Sequence, residues 1–343
     1  MRALLLALAL PACADQHAAA SPPPAAPAEP RSIALPGGEA GIGFDDLRYS
    51  PTLRRVLVPA GRTGQLDLVD PQTGAVESVP GFGARTGFEG GHGDGCTSVD
   101  EGLGLLFAID RTRQMVVVVD PAKRVIVSEA PLGGGPDYVR FVASTRELWV
   151  TEPSAEAIEL FALGTDTPPQ LQPAGRIAVP GGPESLVIDL TRDRAYTHLW
   201  TGTTVAIDLT RRGVLTRWPN GCSGSRGIAL DEARGLLFTG CEEGRATVLD
   251  VAHDGKLLGS AATGTGVDII ALDAARGRLY VPGDDGTLAI LGVAPDGALS
   301  VLATRPVREG AQGVTTDGAG RVFVGDPQGG RLIVVQDDQP AAR

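Results

Sequence analysis

The chain has 343 residues and a formal net charge of −11, which argues against a nucleic-acid partner. Phosphate-binding surfaces need clustered cations, whereas 30 Lys and Arg are outnumbered here by 41 Asp and Glu, and no basic run stands out. With 47 Gly and 26 Pro the chain is rich in turn formers, and only 4% of its residues are aromatic, so its core must come from aliphatic side chains.

Residues 1–13 have the pattern of an export signal. Arg2 supplies a positive end, and Leu4–Leu10 form an apolar stretch that is too short to cross a membrane. Leu10-Pro11-Ala12-Cys13 resembles the lipobox of bacterial lipoproteins, in which the cysteine is acylated. Because the segment is short for ordinary secretion, we favour an exported lipoprotein anchored at Cys13 and facing the periplasm or cell surface. Ala12-Cys13-Ala14 also fits simple cleavage, which would give a soluble periplasmic or secreted protein.

Residues 14–30 consist largely of Ala, Pro and Ser. This composition is typical of an extended tether rather than of a packed element. The lipid at its start is therefore the only membrane contact that the sequence predicts.

A strand with a large apolar residue at its centre recurs seven times in residues 31–338. The repeated positions are Leu57, Phe107, Trp149, Tyr196, Phe238, Tyr280 and Phe323, at intervals of 42 to 50 residues. Four-stranded blades of β-propellers typically repeat every ~40–45 residues, and a blade needs both neighbours to bury its faces. We therefore predict an all-β fold, a seven-bladed β-propeller in one domain, followed by a tail at residues 339–343.

The two ends of this domain predict how the ring closes. After Leu332–Val335 the last blade has no fourth strand, because only the polar residues 336–343 remain. Arg31–Pro36, in contrast, reads as a strand without a blade of its own. We predict that Ile33–Leu35 complete the last blade and cover its open edge.

Several blades carry a family resemblance. The segments LFTGCEEGRATVLDV, RLYVPGDDGTLAILGV and RVFVGDPQGGRLIVVQ resemble the YVTN-repeat β-propellers, and in particular their YncE-like secreted members. The segment NGCSGSRGIALDEARGLLFTGC is similar to a recurrent blade of that group. The resemblance implies a periplasmic or surface propeller without an established catalytic mechanism, and such motifs specify a fold better than an activity.

The four cysteines separate by position. Cys222 precedes the innermost strand of the fifth blade and Cys241 follows its antiparallel partner, so both reach the same end of adjacent strands. We favour a disulfide over a metal-thiolate site, since neither cysteine belongs to a CxxC pair. Cys13 is the lipidation site, and Cys96 is left as a small buried core residue rather than a nucleophile.

The candidate ligand site lies at the rim of the central channel. Positions about 12 residues before each repeated strand centre should enter the channel together: Asp45, Gly95, Asp137, Glu184, Arg226, Asp268 and Gln312. Positions three residues after the centres add Asp110, Glu152, Cys241 and Asp326 at the same end. Asp137, Glu184 and Asp268 could supply oxygen ligands to a divalent cation such as Ca²⁺. We favour the alternative that these side chains pair with neighbouring groups or line solvent, without a cofactor.

Two further segments place unusual side chains near that rim. His92-Gly93-Asp94-Gly95-Cys96 combines an imidazole, a carboxylate and a thiol in a loop whose glycines allow a close approach to a ligand, or simply form a flexible turn. His198 and Trp200, at the end of a strand of the fourth blade, form either a ligand platform or a packed loop.

Three functions fit these features. The first, which we favour, is a monomeric, non-catalytic cell-envelope propeller that binds a protein, glycan or small molecule at its rim. The second is a metal-dependent hydrolase of the lactonase kind that uses rim carboxylates. The third is an accessory protein of a periplasmic redox system. The sequence has no Ser-His-Asp order, Walker loop, HExxH or CxxC motif, so enzymatic activity lacks its usual markers.

Overall fold

A computed structural model describes residues 31–340, which form seven four-stranded antiparallel sheets. Successive innermost strands contact one another, and the first (β2, Arg48–Ser50) also contacts the last (β26, Val314–Thr316), so the sheets form a closed ring of seven blades. The prediction of a seven-bladed β-propeller is confirmed. Two short 3-10 helices, Gly38–Ala40 and Pro153–Ala155, are the helical segments of the described chain.

The strands of the first four blades follow one another along the chain. They are β2 (Arg48–Ser50), β3 (Arg55–Pro59), β4 (Thr63–Val69) and β5 (Val76–Ala84) in blade 1; β6 (Cys96–Gly102), β7 (Leu105–Asp110), β8 (Met115–Asp120) and β9 (Val125–Pro131) in blade 2; β10 (Val139–Val142), β11 (Glu147–Glu152), β12 (Ala157–Leu163) and β13 (Leu171–Ala178) in blade 3; and β14 (Leu186–Asp189), β15 (Arg194–Leu199), β16 (Thr203–Asp208) and β17 (Gly213–Pro219) in blade 4.

The remaining strands complete the ring in the same way. They are β18 (Ser225–Asp231), β19 (Leu236–Cys241), β20 (Arg245–Asp250) and β21 (Lys256–Ala262) in blade 5; β22 (Ala271–Asp273), β23 (Arg278–Gly283), β24 (Thr287–Val293) and β25 (Leu299–Pro306) in blade 6; and β26 (Val314–Thr316), β27 (Arg321–Asp326), β28 (Arg331–Gln336) and β1 (Arg31–Ala34) in blade 7.

The seven repeated strand centres all lie in the second strand of a blade. Every one of them is at most 1% exposed. Side chains alternate between the two faces of a strand, so a large residue at this position packs between neighbouring sheets, where most of the core lies. One buried anchor for each blade explains why the repeat could be read from so few aromatic residues.

Strand β1 closes the ring as predicted. It pairs antiparallel with β28, and Ile33 lies opposite Leu332. Ile33 and Leu35 are both buried in the cluster that joins blades 7 and 1. The first described residue also contacts blade 1, because the Arg31 guanidinium donates to the Gln72 carbonyl at 2.7 Å.

The predictions for the chain termini fall mostly outside this ring. The signal at residues 1–13, the lipidated Cys13 and the tether at residues 14–30 lie outside the described residues. Between Arg31 and Pro340, no helix is long and apolar enough to cross a membrane. Within the predicted tail, the Gln339 carbonyl accepts a hydrogen bond from Arg278 at 3.4 Å.

The fifth blade contains the predicted disulfide. Cys222 and Cys241 are bonded, with their Cα atoms 5.3 Å apart. Cys96 is a free, fully buried cysteine, and burial raises the pKa of its thiol well above the usual value. A thiol held neutral in this way is a poor nucleophile, which agrees with the interpretation of Cys96 as a core residue.

The disulfide should contribute measurably to stability. It closes a loop of 19 residues, for which the restriction of the unfolded chain corresponds to about 3 kcal/mol. We expect the double variant Cys222→Ser/Cys241→Ser to lose about that much unfolding free energy in urea titrations. Dithiothreitol should destabilise the parent protein to the same extent and leave the variant unchanged. Equal stability of parent and variant would contradict this prediction.

Candidate functional site

Two sets of residues frame a cavity of 620 Å³ at one mouth of the central channel. The first set begins the innermost strands, as the sequence predicted, and includes Asp137, Glu184, Arg226, Asp268 and Gln312. Asp45 belongs to the same set but lies deeper, with 2% exposure, and Gly95 is buried against the backbone of Gly61. We call this cavity the channel mouth.

The second set lies four residues after the repeated strand centres. Its members are Arg111, Pro153, Trp200, Glu242 and Asp284, each just beyond the end of a second strand. The sequence analysis instead placed the preceding residues at the rim. That prediction was wrong for Asp110, Glu152, Cys241 and Asp326, which are buried and do not line the channel mouth. A shift of one residue along a strand moves a side chain to the opposite face, so counting three positions instead of four selected the wrong set.

His92 is the central cation of the channel mouth. Its Nδ1 lies 3.0 Å from Asp45 Oδ2 and its Nε2 lies 3.5 Å from Asp268 Oδ2. The charge of Asp45 raises the pKa of His92 to about 9 despite its burial. His92 therefore carries a positive charge at neutral pH, donates a hydrogen bond to Asp45 and forms a longer ion pair with Asp268.

Close backbone packing holds the loop that carries His92. The loop, residues 85–95, connects blades 1 and 2 and rests on the segment that leads into β2. A Cβ atom at Gly43 would overlap the Gly91 carbonyl oxygen and the His92 Cα. Glycine at position 43 thus permits the approach that brings the imidazole over the channel.

Arg111, like Pro153, Glu242 and Asp284 of the second set, is a site residue that the sequence analysis missed. Its guanidinium pairs with Asp137, lies 3.4 Å from Asp45 Oδ2, and donates from Nε to the Pro136 carbonyl at 2.8 Å. Burial raises the pKa of Asp45, but His92 and Arg111 outweigh this effect, so the pKa is lowered. The position four residues after Phe107 was the available signal for Arg111.

The opposite side of the channel mouth has a second arginine. Arg226 Nη2 lies 2.7 Å from Glu242 Oε2 and Nη1 lies 3.6 Å from Glu184 Oε1, while the guanidinium carbon is 4.5 Å from the centre of the Trp200 ring. Burial, together with the nearby charge of Asp268, raises the pKa of Glu184 to about 7. This carboxyl group therefore titrates in the physiological range.

Asp268 lies between the two sides. Burial raises the pKa of its carboxyl group, and the charge of Asp45 adds to this effect while His92 opposes it. Within residues 31–340, Asp268 Oδ2 is buried and has no hydrogen-bond partner. The channel mouth thus contains a carboxylate oxygen with unused capacity to accept.

The predicted metal ligands do not converge. Asp137 is occupied by Arg111, and Glu184 faces Arg226. In the described part of the chain, Asp268 instead groups with Asp45 and His92, whose ligand atoms lie within 4.8 Å of one another. The Arg111 guanidinium, 3.4 Å from Asp45, would repel a metal ion, so this arrangement suits an ion cluster better than a metal centre.

Two predicted rim residues, His198 and Asp94, do not line the channel mouth. His198 is fully buried, with Nδ1 3.0 Å from Thr204 Oγ1, and burial lowers its pKa to about 3. It follows Tyr196 by two positions and therefore shares that residue's face between blades. Asp94 pairs with Arg85 at 2.9 Å and lines a neighbouring cavity of 170 Å³. For His198 the correction reflects the direction of the side chain, whereas Asp94 stays near the channel mouth, because His92 lines both cavities.

Stability should depend on pH through His92. Its pKa of about 9 lies above the ordinary value of 6.5, so the ion cluster stabilises the fold fully below about pH 6.5, and this contribution disappears as the pH rises through about 9. We expect His92→Gln to remove this part of the dependence of melting temperature on pH. The control variant His253→Gln, which removes an imidazole from an exposed turn, should keep it. A His92 ring that titrates near pH 6.5 in NMR spectra would contradict the prediction.

Fold and site together define a seven-bladed β-propeller with a charged channel mouth. No family model and no curated protein sequence matches the chain. It is similar in structure to the hydrazine synthase of Kuenenia stuttgartiensis, with a TM-score of 0.69 and 14% identity over 87% of this chain and 96% of that chain. A chain of the mitotic checkpoint complex gives a TM-score of 0.70 and 14% identity over 98% and 99% of the two chains.

A third solved structure, the β-propeller domain of Cps50 (Swd1) from Myceliophteria thermophila, gives a TM-score of 0.70 and 12% identity over 90% of this chain and 99% of that chain. At such low identities the likeness concerns the fold alone.

Proposed function

We propose that this propeller is a non-catalytic, monomeric binding protein whose channel mouth takes a positively charged ligand. The observation that carries the proposal is the charge of the cavity wall, which has five acidic and three cationic side chains and stays net negative when Glu184 alone is protonated. The three cations, His92, Arg111 and Arg226, are each already paired with a carboxylate. A concave wall of net negative charge concentrates cations near it.

The size of the cavity limits the ligand. Small-molecule sites typically occupy ~300–1,000 Å³, and the 620 Å³ of the channel mouth falls within that range. It would accept a small organic cation or one or two basic side chains of a partner protein. A glycan without a basic group matches the charge of the wall less well.

Calorimetric titration with spermidine tests this proposal. We expect binding of one spermidine molecule, weakened by added salt and by the double variant Glu242→Gln/Asp284→Asn. The control variant Glu129→Gln/Asp338→Asn loses the same two charges from exposed positions outside the channel mouth and should bind as the parent does. Absence of binding, or equal weakening by both double variants, would refute the proposal.

Hydrolysis by the lactonase route is less well supported. That route needs a metal held by converging oxygen ligands, whereas Asp137 and Glu184 are paired with arginines and Asp268 faces His92. The paired carboxylates and protonated His92 stabilise one another instead. We therefore do not propose a metal-dependent activity, and no specific contact supports a role in a redox system.

We also propose that the protein is an exported, YncE-like member of the YVTN-repeat propellers, anchored by a lipid at Cys13. The disulfide between Cys222 and Cys241 supports this location, because such bonds persist mainly in oxidising compartments. We expect the parent protein to fractionate with membranes and Cys13→Ser to appear in a soluble fraction. Mass spectrometry should detect a diacylglyceryl group on Cys13, and an unmodified residue would contradict the anchor.

A further inference from the structure

The most accessible aromatic side chain of the channel mouth is already in contact with a cation. Trp200 lies just after β15 and is 52% exposed. The Arg226 guanidinium lies over its ring, 4.5 Å from the ring centre. A distance below ~6 Å is typical of a cation–π contact.

Two carboxylates complete the surroundings of this guanidinium. Glu242 accepts from Arg226 at 2.7 Å, and Glu184 lies 3.6 Å away on the other side. One aromatic face combined with flanking carboxylates is the chemistry that recognises guanidinium and alkylammonium groups in ligands. The protein's own side chain therefore shows what this part of the channel mouth binds.

The contacts of the Arg226 guanidinium are weak enough for a ligand cation to replace them. The side chains of Arg226 and Glu242 are 23% and 55% exposed, so water competes for Glu242 and the ion pair contributes less than a buried one. A long arginine side chain can also turn its charged end towards solvent while its stem stays in place. An incoming cation could thus replace the guanidinium without disturbing the strands.

We propose that Arg226 is a resident cation, and that it occupies the subsite in which a guanidinium or alkylammonium group of the ligand binds between Trp200, Glu184 and Glu242. The inference rests on the proposed function, because it specifies which part of the channel mouth holds the ligand's charge. Ligand binding would then require Arg226 to move aside. Its presence would weaken the intrinsic affinity of the subsite, since only the fraction of molecules with an open subsite can bind.

Substitutions of Arg226 and Trp200 should act in opposite directions. With N-ethylguanidinium and choline as probes, we expect Arg226→Gln to bind five- to tenfold more tightly than the parent protein. We expect Trp200→Ala to bind about tenfold more weakly, and Trp200→Phe to recover part of the loss, because a cation–π contact corresponds to a change of this order. N-ethylurea, which is similar in shape to N-ethylguanidinium but uncharged, should not bind any of these proteins.

Arg305→Gln is the matched control for charge. Arg305 forms an ion pair with Asp338 at 3.0 Å on the outer strand β25, away from the channel mouth, and its loss changes the net charge equally. This control should bind the probes as the parent does. Melting curves establish whether each variant is folded. If Arg226→Gln does not fold, Trp200→Ala still tests the subsite.

The outcomes separate this inference from the proposed function. Weaker or unchanged binding by Arg226→Gln would overturn the resident-cation role, and unchanged binding by Trp200→Ala would overturn the subsite. If spermidine still bound in either case, the channel mouth would remain the ligand site. If neither spermidine nor the two probes bound the parent or Arg226→Gln, the proposed function and this inference would fail together.

Discussion

Deletion of residues 31–38 should lower the melting temperature of the protein by roughly 10–20 °C. The deletion removes β1 and with it Ile33 and Leu35, which are 5% and 3% exposed. Loss of a buried aliphatic side chain lowers the unfolding free energy by ~2–5 kcal/mol. The loss of two such side chains accounts for the expected fall in melting temperature, at about 2 °C per kcal/mol in a domain of this size. The deletion also leaves one edge of β28 unpaired, so the variant should aggregate more readily.

The matched control deletes the eight residues 18–25 from the predicted tether. It shortens the chain equally and should leave the melting temperature within about 1 °C of the parent value, because the composition of this segment predicts a tether without a packed element. Differential scanning calorimetry measures both variants. Equal melting temperatures for the two deletions would show that the ring does not depend on β1 for closure.

Asp46→Ala should be the most destabilising point substitution in the channel, at about 3–5 kcal/mol. The Arg140 guanidinium makes two hydrogen bonds to Asp46, at 2.6 and 3.0 Å, and both side chains are 5% exposed. Ser98 also donates to Asp46, at 2.6 Å, and Arg140 donates to the Leu186 carbonyl at 2.9 Å. This network joins blades 1 to 4, and removing Asp46 would leave a buried charge without its partner.

Urea denaturation of a double-mutant cycle measures this effect. The variant Asp46→Leu/Arg140→Met removes both charges and should cost less than the sum of the two single substitutions, because neither charge is left unpaired. Asp338→Ala breaks the exposed pair with Arg305 and should cost no more than ~1 kcal/mol. Additive costs at positions 46 and 140 would contradict the coupling.

The ring and its closure could be read from the sequence because they depend on local patterns. A large buried residue recurs at one position in the second strand of each blade, and turn residues separate the strands at similar distances. The segment RSIALP could be matched to blade 7 because the chain has one extra strand before blade 1, whereas blade 7 lacks its fourth strand. The pairing of Cys222 with Cys241 followed from their places at the same end of adjacent strands.

The site was predicted only in part. Counting back from the strand centres located Asp137, Glu184, Arg226, Asp268 and Gln312 at the channel mouth. The same counting forward missed Arg111, because a register error of one residue exchanges the faces of a strand. His198 was misplaced for a related reason, since the prediction considered its place near a strand end and overlooked that it shares the buried face of Tyr196, two residues earlier.

The sequence by itself thus determined the number of blades, the closing strand and the disulfide, because each depends on spacing along the chain. Only the tertiary structure decided which charges meet. Asp46 and Arg140 are 94 residues apart in the sequence, yet their side chains are hydrogen-bonded. His92 is likewise distant in sequence from Asp45 and Asp268, yet its two ring nitrogens lie 3.0 and 3.5 Å from their carboxylates. Ion pairing and pKa shifts depend on those distances and on burial, which no local pattern contains.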